Sequence, residues 1–212
     1  MHVRQRMATT ALCCGLVAGA LAIDSIAPIT AHAAPTYSVA TPIGDNLAGR
    51  AQWAAVNTTA DRYVAERDGI ATEVAGRLGL DAAAMQAAWG SADMAHQVAL
   101  LSALGQMGVP YRRNTSKPGV GFDCSGLTTF AWAQAGVTLT RQSAAQIRES
   151  AVRTIETAQA GDLVYYPGHV MMWLGVDYAV VHSPYTGRTV EVSFVGKRKI
   201  KRATFADPTA QN

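Results

Sequence analysis

The sequence predicts an α+β fold, with helices first and an antiparallel sheet after them, and three observations carry that reading. Residues 46–89 are alanine-rich and place apolar side chains at helical spacing. Three further helical runs fall within residues 94–149. Beyond Ala160 the pattern changes to short apolar runs separated by glycine- and proline-bearing turns, the signature of strands joined by tight connections. Helices followed by strands, without alternation, favour α+β over a doubly wound sheet.

At the N-terminus, basic Arg4 and Arg6 precede an apolar run from Met7 to Ile23 and a small-residue site, Ala31-His32-Ala33. This is the layout of a secretory signal peptide over residues 1–33. The apolar run falls short of the roughly 20 residues a spanning helix needs, so no stable membrane insertion is expected after cleavage. The expected location is therefore secreted. Of the three cysteines, Cys13 and Cys14 leave with the signal, and Cys124 remains as an unpaired thiol. Secreted proteins normally pair their cysteines, so this one calls for a chemical reason. A formal charge of +3 is too mild to point to nucleic acid. The one basic cluster, Lys197-Arg198-Lys199 with Lys201-Arg202, reads as a solvated strand edge or as a contact for an anionic polymer such as a cell wall.

Residues 34–92 read as a linker, to about Ile43, followed by a helical extension. Asp68-Gly69 is expected to break the helix. Ile70, Val74 and Leu78 then form a stripe closed by Gly79, and Asp81 caps a helix over Ala82–Trp89 that Gly90 ends. Alanine faces bury little area, so this region is expected to be an appendage packed on the main domain, or a pro-region. The main domain spans 93–206, with a tail at 207–212. Asp93 opens a helix bearing Val98, Leu100, Leu101 and Leu104, with Gly108 as its stop. His96, in its first turn, receives no role. A polar loop, Arg112–Gly121, delivers the chain to a helix over Cys124–Ala135, and a short helix runs from about Ser143 to Glu149. Strands are expected at Leu163–Tyr166, His169–Leu174, Ala179–His182 and Thr189–Phe194.

The thiolate, not the thiol, is the nucleophile, so a catalytic cysteine needs surroundings that favour negative charge. A helix N-terminus supplies them, and Asp123 is a plausible N-cap directly before Cys124. The backbone N–H of Cys124 would serve as an oxyanion donor. His169 and His182 flank a turn centred at Gly175–Val176, and residues equidistant from a hairpin turn lie opposite one another. One cysteine with two adjacent histidines is the layout of nucleophile (Cys124), general base (His169) and orienting group (His182).

The ordered motifs Phe-Asp-Cys-Ser-Gly-Leu, Arg-Gln-Ser, Gly-Asp-Leu-Val-Tyr-Tyr, Gly-His-Val and Val-Val-His-Ser-Pro resemble the NlpC/p60 family of cell-wall cysteine peptidases, over roughly Met94 to Phe205. The resemblance implies a papain-like α+β domain and a Cys–His–His triad on Cys124, His169 and His182. It also implies peptidoglycan as partner, cleaved in its stem peptides, often between D-γ-glutamyl and a diamino acid. Neither a cofactor nor a metal is implied. Tyr111 matches the family's tyrosine before the catalytic loop; packing under that loop is its other reading. Asp123 and Ser125 flank the nucleophile as supporting residues. Arg112-Arg113-Asn114 departs from the family's aromatic and Gly-Gly pair; Arg112 and Arg113 are either partners for stem-peptide carboxylates or exposed loop charges. Three rivals stand beside this reading: a zinc hydrolase using Cys124, His169 and His182 as ligands, an amidase or acyl transferase with the same nucleophile, and a non-catalytic wall-binding protein.

Overall fold

The alanine-rich segment forms three helices: α1 (Pro42–Val56), α2 (Tyr63–Leu78) and α3 (Ala82–Ser91). These come from a computed structural model that describes residues 42–210; the expected signal segment with Cys13 and Cys14, and most of the expected linker, lie outside the described residues. Asp81 caps α3 as expected, its Oδ1 accepting the Ala84 N–H at 2.8 Å. The expected break at Asp68-Gly69 does not occur, and α2 runs straight through it. Gly69 instead admits a neighbour: a Cβ there would lie 2.6 Å from the Arg50 guanidinium of α1. That same guanidinium pairs with Glu66 and Glu73. The chain breaks earlier, between Val56 and Tyr63.

These helices have no core of their own. Leu47, Ile70, Met85 and Trp89 share one buried cluster with Leu104 and Leu127 and with Val170 and Met172 of the sheet. Trp89 donates its indole N–H to the Leu174 carbonyl at 2.9 Å, and the Tyr63 hydroxyl bonds Gln97 at 2.8 Å. Among the described residues no helix is long and apolar enough to cross a membrane.

Helix α4 (Met94–Leu104) is capped by Asp93 and ends at Gly105, one turn before the expected stop at Gly108. Gly105 meets the Gln52 backbone of α1, where a Cβ would come within 3.2 Å. A small hairpin, β1 (Ser116–Lys117) with β2 (Gly121–Phe122), occupies the polar loop. Helices α5 (Cys124–Gln134) and α6 (Ser143–Glu149) follow. The sheet contains β3 (Ala151–Arg153), β4 (Leu163–Tyr166), β5 (His169–Trp173), β6 (Ala179–His182), β7 (Glu191–Phe194) and β8 (Thr204–Asp207), in the order β3-β8-β4-β5-β6-β7 and antiparallel throughout. The α+β class is therefore the observed one. Two strands of this sheet, β3 and β8, were not expected, and β8 takes in Asp207, the first residue of the expected tail. The basic cluster is not a strand edge: Lys197–Ile200 form a one-turn helix, α7.

His96 proves to be a structural keystone. It is fully buried, with Nδ1 2.7 Å from Asp93 Oδ1 and Nε2 2.9 Å from Asp162 Oδ1 and 3.4 Å from Asp207 Oδ1. Burial pushes its pKa down, but hydrogen bonds to Asp162 and Asp93 and the charges of both outweigh that, and the net shift is upward. Asp207 also pairs with Arg153 at 2.7 Å and accepts from Thr209, and Asp162 accepts from the Gln159 N–H. The cluster thereby ties α4 to the leading end of β4 and the last residue of β8. Removing one partner from such a buried network costs about 3–5 kcal/mol, so His96→Gln should lower the melting temperature sharply. The sign with pH follows from the raised value: the folded state holds the His96 proton more tightly than the unfolded one. Its contribution is complete below pH 6.5 and is lost as pH rises through the folded pKa. Melting curves across that range should show the loss in the parent and not in His96→Gln.

Candidate active site

Cys124 is the first residue of α5 and the free cysteine of the described residues. Asp123 fixes that helix start with both carboxylate oxygens. Oδ1 accepts the Gly126 N–H at 2.8 Å; Oδ2 accepts the Asn114 N–H and the Arg141 guanidinium, each at 2.7 Å. Gly126 is required here, because a Cβ would collide with the Thr115 carbonyl oxygen and press on Asp123. Arg141 also donates to Ser125 Oγ at 2.8 Å, so one guanidinium spans the residues on either side of the thiol. Buried Gln146 of α6 donates to the Ser125 carbonyl at 3.1 Å and the Thr140 carbonyl at 2.9 Å, and so holds α6 against α5.

Asn114, Asp123, Ser125, Arg141, Gln142 and Ser143 line a cavity of about 370 Å³. Arg112 and Arg113 are exposed and do not line it. The Arg112 stem lies over Gly121. Tyr111 is half-buried, its backbone N–H bonded to the Arg188 carbonyl at 2.8 Å. Burial raises the pKa of its hydroxyl, and the charges of Cys124 and Asp123 raise it further.

The two histidines meet, by a register different from the expected one. Met172 pairs with Val181 and Trp173 with Val180, and the loop between β5 and β6 is five residues, 174–178, with Asp177 at φ +47°. The wider loop moves His169 from opposite His182 to a diagonal position. A shift of two residues keeps both on the same face, and His169 Nε2 lies 2.8 Å from His182 Nδ1. Among the described residues no hydrogen bond occupies His169 Nδ1. Burial, then the charges of His182 and Lys199, push the His169 pKa down to about 3. Helix α5 packs against β5, the strand that His169 opens.

Sequence reasoning passed over Arg141 although it quoted the Arg-Gln-Ser motif that contains it. It also passed over the neighbours of His182: Ser193 Oγ at 2.9 Å from Nε2 and Glu191 Oε1 at 3.8 Å. Among the described residues, the group of three possible metal-ligating side chains with converging atoms is His96, Asp162 and Asp207, and Cys124 is not part of it. Its oxygens and nitrogens are already engaged with one another and with Asp93, Arg153, Gln159 and Thr209.

The sequence matches the NlpC/P60 family model over residues 108–207. It is similar to the gamma-D-glutamyl-L-lysine dipeptidyl-peptidase of Bacillus cereus (strain ATCC 10987 / NRS 248), 37% identical over 95 residues, 41% of this chain and 28% of that one. The chain thus spans less than a third of that relative's length. A solved structure of an NlpC/P60 family protein from Bacillus cereus ATCC 10987 is 29% identical over 50% of this chain and 37% of that one, with a TM-score of 0.46. A probable endopeptidase of Corynebacterium glutamicum (strain R) is 30% identical over 167 residues, 76% of this chain and 79% of that one. A match of that extent along a relative, together with the family model, means that this chain belongs to the NlpC/P60 family.

Proposed function

We propose that residues 93–206 form a cysteine peptidase domain that hydrolyses stem peptides of bacterial peptidoglycan, at the bond between D-γ-glutamyl and a diamino acid. Residues 1–33 act as a signal peptide that exports it to the cell wall. The observation that carries this reading is the pair His169–His182 at 2.8 Å, together with a free thiol at the first turn of a helix that packs on the strand His169 opens. Two relatives, a gamma-D-glutamyl-L-lysine dipeptidyl-peptidase and a probable endopeptidase, support the substrate class.

In this mechanism the Cys124 thiol passes its proton to His169 Nδ1, the ring nitrogen that His182 leaves open. The thiolate, favoured by the N–H groups of α5, attacks the scissile carbonyl carbon. Negative charge moves to the carbonyl oxygen and is met by the Cys124 backbone N–H. Collapse breaks the C–N bond, His169 returns its proton to the leaving amine, and a thioester remains. Water, deprotonated by the same ring, cleaves the thioester and restores the thiol. The low pKa of His169 keeps the ring unprotonated before reaction, and a thiolate beside it then stabilises the imidazolium. Asp123 holds the helix start in place, and Arg141 braces the cavity wall that the substrate meets.

Digestion of purified peptidoglycan, followed by mass analysis of the fragments, tests the reading. Parent protein should release fragments whose masses name the bond, and Cys124→Ala should be slower by about 10⁴-fold or more. Equal digestion by the two would end the cysteine mechanism. Asp123→Ala removes a helix cap, at a cost of about 0.5–2 kcal/mol, and leaves Arg141 without its carboxylate. Both melting temperature and the rate of Cys124 alkylation by iodoacetamide should fall. The depressed His169 value has its own sign: the unfolded ring binds a proton that the folded ring refuses. Stability should therefore decline as pH falls from 6.5 toward about 3, and His169→Leu should decline less over the same window.

A further inference from the structure

Both ring nitrogens of His182 are engaged, and which of them carries the proton decides what His169 can do. His169 can accept at Nδ1 only if its own proton sits on Nε2, from which it donates to His182 Nδ1. His182 must then hold its proton on Nε2, which faces Ser193 Oγ at 2.9 Å. A serine hydroxyl alone does not settle this, because it both donates and accepts. The carboxylate does. Glu191 is the direct cross-strand partner of His182, with Ser193 next along the same face of β7, and its Oε1 lies 3.8 Å from His182 Nε2. An N–H pointed toward that charge is favoured, and a lone pair is repelled.

Glu191 is only 4% exposed, and Arg188 offsets the cost of burying it. The guanidinium forks onto the carboxylate, Nη2 reaching the two oxygens at 2.7 and 2.6 Å and Nε one of them at 3.0 Å. The backbone carbonyl of the same Arg188 holds Tyr111. Among the described residues, the other titratable groups about the pair are Tyr166 of β4, its ring 5.5 Å from His169, and Lys199 of α7, bonded to Tyr166 and acting on the charge of His169. None of these brings a carboxylate to His182 Nε2.

We propose that Glu191 and Ser193, held by Arg188, are positioning residues that fix His182 as its Nε2–H tautomer and so keep Nδ1 of His169 open for the thiol proton. The proposal deepens the cysteine peptidase reading and rests on His169 as its base. Two measurements test it. Ring-nitrogen NMR on the Cys124→Ala protein, which needs no turnover, should find His182 protonated on Nε2. Adding Ser193→Ala or Glu191→Gln should shift population toward Nδ1–H. In cleavage assays both variants should lower kcat by about 10–100-fold with little change in KM, the size of losing an orienting partner.

The pH profile separates positioning from mere structure. Glu191→Gln removes negative charge beside the imidazolium and should move the basic limb of kcat to lower pH; Arg188→Gln unmasks that charge and should move it higher. His182 protonated on Nδ1 in the Cys124→Ala protein would overturn the proposal, as would basic limbs that move together or not at all. Should Glu191→Gln fail to fold, Ser193→Ala and Arg188→Gln carry the same tests at less buried sites. A protein inert on peptidoglycan would still report its tautomers, so failure of the relay and failure of the peptidase reading are distinguishable.

Discussion

His96 sits where the first turn of α4 meets the leading end of β4 and the last residue of β8, and it takes a carboxylate from each. Its ring meets Trp132 of α5 edge-on, with centroids 4.9 Å apart. The helix that begins at Cys124 is therefore seated against the residue that locks helices to sheet. Buried charge networks tolerate little displacement, since each unmet hydrogen bond exposes a desolvated charge. The relation between α5 and β5 inherits that stiffness, and with it the placement of the thiol relative to the histidine pair.

The candidate site repeats the arrangement on a smaller scale. The proposed nucleophile and base, Cys124 and His169, each stand at the start of an element and are held by neighbouring side chains. Asp123 and Arg141 brace the sulfur's helix from the loop side. His182, with Ser193 and Glu191 behind it, braces the imidazole from the sheet side. Orientation fixed before substrate arrives need not be paid for during the reaction.

Local signals made much of this legible from the residues alone. The Asp123 cap, the thiol after it and the alternation that puts His169 and His182 on one face are all short-range patterns. The histidine contact survives a misjudged loop, because a register slip of two residues preserves the face. What stayed hidden is long-range. Nothing near His96 announces Asp162 or Asp207, and nothing near His182 announces that Glu191 opposes it. Gly69 resembles a helix breaker because its reason, the Arg50 guanidinium, lies on another helix. Strands β3 and β8 are three and four residues long, too short for alternation to stand out, and they pair across more than fifty residues of chain.

The bond from Trp89 to the Leu174 carbonyl bears on how such a protein can be held in check. Many secreted hydrolases are kept silent by a leading segment that a protease later clips away. Here the leading helices insert into the same apolar interior as the sheet, and Trp89 satisfies a backbone acceptor at the end of β5. Clipping them off would strip Leu47, Ile70, Met85 and Trp89 from that shared interior. The helices of residues 42–91 are therefore part of the domain's core and not a layer laid over it.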